Sequence, residues 1–84
     1  MTKQIEIVDN QIWFLKENPD LLRGDTPGTL RFLADIKEEL QEGRDGIRYT
    51  ERLIEYLGQI PHRNHRDAHA WAVRLLEGLT RRSE

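Results

Sequence analysis

Over residues 64–79 (NHRDAHAWAVRLLEGL) apolar side chains return every three or four positions, at Ala68, Trp71, Ala72, Leu75, Leu76 and Leu79. At about 100° per residue these positions share one stripe of a helix. Such a stripe is stable in water only when other elements cover it, so this segment dictates how the rest of the chain is read. Asn64 suits the N-cap, and Asp67 three residues later suits a variant of the capping box. Pro61 discourages a run-in from the preceding segment. Gly78 weakens the last turn, while Arg81 and Arg82 suit the negative end of the helix dipole. The spacing predicts a helix over 64–80.

Two further helices read clearly. Thr26 as N-cap and Pro27 at the first helical position open one over 27–42, with Leu30, Leu33, Ile36 and Leu40 facing inward and Phe32 at the stripe's edge. Gly43 ends it as a left-handed cap. Asp45 caps the next, over 46–57, with Ile47, Leu53, Ile54 and Leu57 inward and Tyr49 and Tyr56 at the margins. The following connection, GQIPHR, is short enough to make the last two helices neighbours. Residues 17–26 form a connector, with Leu21 and Leu22 tucked under it.

Residues 1–17 admit two readings. As a helix, Ile5, Val8, Ile12 and Leu15 make a narrow stripe. As a hairpin turning at Asp9-Asn10, Ile7 faces Ile12 and Ile5 faces Phe14 on one side. The helix puts Asp9 and Asn10 in its interior, where both residues prefer to bond their own backbone. The hairpin uses the enrichment in Ile, Val, Trp and Phe that the stretch already has. The balance tips to the hairpin. The expected fold is mainly α, a compact three-helix core preceded by a short N-terminal β-hairpin, with an all-α four-helix domain as the alternative. Eighty-four residues allow a single small domain over 1–84.

The chain has no cysteine, which excludes disulfides, thiolate zinc sites and thiol catalysis. No apolar run is long enough for a membrane span, and no signal-peptide core is present, so a cytoplasmic protein with no membrane partner is expected. Charge is unevenly placed. Residues 1–42 carry five basic against nine acidic side chains, whereas 43–84 carry eight against six, all eight being arginine. A net charge of −2 is far from that of a committed nucleic-acid binder.

Four groups of residues bear on function. His65 and His69 have the i, i+4 spacing of a helical zinc pair, with His62 nearby, but no further ligand completes a site and Arg66 would repel the cation. No metal and no cofactor are expected. Arg63, Asn64 and Arg66 stand where a recognition helix contacts bases, with Arg74 farther on, although the turn before them is long and holds Pro61. No nucleophile elbow or phosphate loop appears; GDTPG has the glycines of such a loop without its lysine. Finally, Trp13, Phe14, Phe32, Tyr49, Tyr56 and Trp71 are many large rings for so small a core, and rings with arginine nearby are typical of protein interfaces. The expected function is that of a small non-enzymatic interaction module binding another protein, as adaptor, regulator or inhibitor, with homo-oligomerisation open. Its contact residues would be Trp13, Arg63, Arg66, Trp71 and Arg74. The alternative is nucleic-acid binding through the Arg-rich start of the last helix.

Overall fold

The computed structural model describes residues 2–82. The side chain of Arg82, expected at the negative end of the last helix, lies outside what is described. Among the described residues there are four α-helices and no strand: α1 (Thr2–Glu17), α2 (Thr26–Gln41), α3 (Ile47–Gly58) and α4 (Arg63–Arg82), with a short 3-10 turn at Arg23–Asp25. The expected N-terminal hairpin is therefore wrong, and the helical alternative is the correct one. The reason is tertiary. As a helix, residues 2–17 bury Val8 and Leu15 completely and pack Ile5 and Ile12 against the core. A lone two-stranded hairpin, with no other strand to extend it, would bury far less. The two awkward residues sit on the outer surface, where they cost little. Asp9 pairs with Lys37 of α2 at 2.8 Å, and Asn10 is exposed.

α1 packs on α2, α2 on α3, and α3 on α4. Leu33, Ile36 and Leu40 from α2, Leu53 and Leu57 from α3, and Ala68, Ala72, Leu75 and Leu79 from α4 join Val8 and Leu15 in one core. Leu22 plugs it from the connector, fully buried, as expected for that segment. The stripes expected for α2, α3 and α4 face this core, with Leu30, Ile47, Ile54 and Trp71 half-buried at its edge, except that Leu76 of α4, also half-buried, is not part of the core cluster.

Helix ends differ from expectation wherever a capping side chain has a better partner. Thr26 opens α2 as its first residue, but its hydroxyl turns in and donates to the Pro19 carbonyl at 2.7 Å. The cap position belongs to Asp25, whose carboxylate makes no cap bond. Asn64 lies inside α4, and its amide donates to the Leu21 carbonyl at 3.0 Å, tying the helix start to the connector. The side chain that accepts from the first turn is that of His62, through Nδ1 and the Asn64 amide at 3.3 Å. At α3 the cap position is Gly46 rather than the expected Asp45, whose carboxylate, one residue earlier, accepts from the Ile47 amide at 3.0 Å.

Both glycines of the GRDG turn have positive φ, which side chains rarely tolerate. Gly43, at +83°, closes α2, with its own amide on Leu40 and that of Arg44 on Glu39. This is the Schellman pattern. Gly46, at +69°, is buried against Ile36 and Leu40 at the start of α3.

Candidate functional site

Two places in this small fold are chemically unusual. One is a polar latch between helices, the other an apolar groove between α1 and α4.

The latch is built on Asp25, at the start of α2. Its Oδ1 accepts from the Tyr56 hydroxyl of α3 at 2.9 Å, and its Oδ2 lies 3.1 Å from Nε2 of His65 in α4. His65 is only 1% exposed, and its Nδ1 has no hydrogen-bond partner among the described residues. That arrangement fits the tautomer in which Nε2–H donates to the carboxylate. The His62 ring meets His65 edge-on, with centroids 5.3 Å apart. Phe32 packs on the Tyr56 ring at 5.5 Å. Burial, then the hydrogen bond to Asp25, then the carboxylate's charge, push the Tyr56 phenol above its ordinary value.

An Asp–His pair can serve acid–base chemistry when a reacting group reaches the free imidazole nitrogen. Here that nitrogen is walled off from solvent, so the geometry supports a structural tie among α2, α3 and α4. In the sequence His65 stands out only as half of an incomplete zinc pair with His69, and this role is not visible there. The one available signal was that residue 65 stands three positions before Ala68, on the stripe itself. Its partner, 40 residues away, could not be inferred. His69 turns to a different neighbour, its ring 3.4 Å from where a Cβ on Gly58 would stand. Among the described residues no three His, Cys, Asp or Glu side chains come together to hold a metal.

The groove arises because α1 has two apolar faces. Ile5, Val8, Ile12 and Leu15 face the core, while Ile7 and Phe14 lie about a third of a turn away. Ile7, Trp13 and Phe14 are 37%, 63% and 41% exposed, the large apolar side chains most open to water among those described. They meet α4 along three adjoining hollows. The first, of about 190 Å³, is lined by Gln4, Ile7, Trp71, Arg74, Leu75 and Gly78. The second lies among Ile7, Asn10, Gln11, Trp13, Phe14 and Trp71. The third continues past Phe14 and Leu15 to Asn64, Asp67 and Ala68. Residues early in α1 thus face residues late in α4, so the two helices run antiparallel across the groove.

The expected contact residues divide accordingly. Trp13, Trp71 and Arg74 line the groove together. Arg63 and Arg66 are exposed but line none of these hollows. Helical spacing puts Arg63, Arg74 and Arg81 on one outer ridge, with Asp67 and Glu77 interleaved among them. The hairpin expected for residues 1–17 set Ile7 and Phe14 on one side with Ile5 and Ile12, whereas the helix turns both outward. Among the described residues no helix is long and apolar enough to cross a membrane.

Comparison with known protein families, with curated proteins and with solved structures gives no match. The reading of function therefore rests on these surfaces.

Proposed function

We propose that this protein is a small non-enzymatic interaction module that binds another protein through the groove between α1 and α4. The observation that carries the reading is the exposure of Ile7, Trp13 and Phe14 around one hollow with half-buried Trp71. Apolar side chains placed together in water are unfavourable by roughly 25 cal/mol for each Å² left uncovered. Contiguous apolar patches on soluble domains mark contact sites. Tryptophan and arginine, here Trp13, Trp71 and Arg74, are the types that dominate binding energy at protein interfaces. A cytoplasmic adaptor, regulator or inhibitor fits this description.

Nucleic-acid binding through the start of α4 is less well supported, since carboxylates interrupt the arginine ridge and would face the phosphates.

A display library of protein fragments from the source genome, selected on the immobilised protein, tests the proposal. Fragments that bind wild type and lose at least about tenfold in affinity for Trp13→Ala are the expected result, as for a hot-spot ring. Binders indifferent to Trp13, Phe14 and Trp71 would remove the groove as the binding face.

A further inference from the structure

We infer that the groove takes an amphipathic helix of the partner, three to four turns long, which sets a carboxylate against Arg74 and a basic side chain against Asp67. This inference rests on the protein-binding reading above and names the chemistry of the occupant.

The occupant's secondary structure follows from the walls. Both are helices whose backbone groups are bonded internally, and no strand among the described residues offers a sheet edge. An extended segment would therefore find no backbone edge to pair with, and only scattered side-chain amides and water for its own amides and carbonyls. A helix brings its backbone bonds with it and offers only side chains. From Gln4 to Phe14 the α1 wall is about 15 Å long, and from Asn64 to Gly78 the α4 wall is about 21 Å, at 1.5 Å per residue. That span matches three to four helical turns.

The occupant's charge pattern follows from the rim. Arg74 lines the hollow at one end and Asp67 the hollow at the other. Neither forms an ion pair among the described residues. They stand two turns apart on α4, about 10 Å. The other polar lining residues, Gln4, Asn10, Gln11 and Asn64, are uncharged. A partner helix with apolar positions at i, i+3 or i+4, and i+7, and with opposite charges two turns apart at its margins, meets every one of these features.

Three synthetic 16-residue helical peptides with one shared apolar face provide the probe. They carry Glu and Arg, Glu and Glu, or Gln and Gln at the two marginal positions, and binding is read from tryptophan fluorescence. The Glu/Arg peptide should bind severalfold more tightly than either of the others at low salt, the margin shrinking as salt is raised. Asp67→Arg should turn the preference to the Glu/Glu peptide, and Trp13→Ala should weaken all three. Equal affinities, or no binding by any peptide, would overturn the inference. So would sedimentation showing a Trp13-dependent dimer that excludes the peptides, because the groove would then belong to a second copy of this chain. If these tests fail while genome fragments still bind in a Trp13-dependent way, the protein-binding face stands without its charge rule.

Discussion

Single residues in this fold carry effects that their type alone would misjudge. Gly28 and Gly78 both lie inside helices, where Gly→Ala ordinarily stabilises by about 0.5–1 kcal/mol. At Gly78 nothing stands within 4 Å of an added Cβ, so Gly78→Ala should give that gain. At Gly28 an added Cβ would meet the Tyr56 hydroxyl oxygen at 2.7 Å and its ring carbon at 3.2 Å. That hydroxyl is held by Asp25, so Gly28→Ala should destabilise, and thermal melts of the two variants should move in opposite directions. The same tyrosine gives the protein a pH dependence. Its phenol is held above the ordinary 10.0, so the folded state keeps the proton more tightly than the unfolded chain. This contribution is fully present below about pH 10 and is lost as pH rises through the raised folded value. Tyr56→Phe should flatten the alkaline limb of the stability curve, and an unchanged limb would show that the loss of stability at high pH arises elsewhere.

At the scale of the element, α1 and α4 show how a helix can serve both core and surface. Trp13, 63% exposed, should tolerate Trp13→Ala with a change within about 0.5 kcal/mol in denaturation experiments. Trp71 is half-buried and packs on the core, so Trp71→Ala should cost clearly more, though less than the roughly 3–5 kcal/mol of a fully buried ring. A Trp13 variant that unfolds would show α1 to depend on that ring, and would remove it as a clean probe of binding. The helical state of residues 2–17 has its own check. Asn10 is exposed in the middle of α1, so Asn10→Ala should stabilise by about half a kcal/mol through helix propensity, whereas in a turn it would destabilise.

For the whole molecule, the charge distribution sets what a polyanion would meet. The net charge of −2 repels a polyanion, and Asp67 and Glu77 break the arginine ridge of α4. Random-sequence DNA or RNA should show no retardation at physiological salt. Binding that weakened with salt by a log–log slope of about −0.9 per phosphate, and that Arg63→Ala with Arg66→Ala abolished, would move function to the outer face of α4. Much of this architecture is local and so was legible in the chain. The stripes of α2, α3 and α4, the left-handed glycine after α2 and the Asp45 bond at the start of α3 all follow from spacing and residue type within one or two turns. Residues 2–17 were not decided locally, because Asp9 and Asn10 favour a turn while the apolar spacing permits a helix; burial of Val8 and Leu15 against α2 settled it. The latch joins residues 25, 56 and 65, and the groove joins residues 4–14 to 64–78. Neither pairing leaves a trace in periodicity, because periodicity records which face of an element is apolar and not which element, at what separation, comes to lie against it.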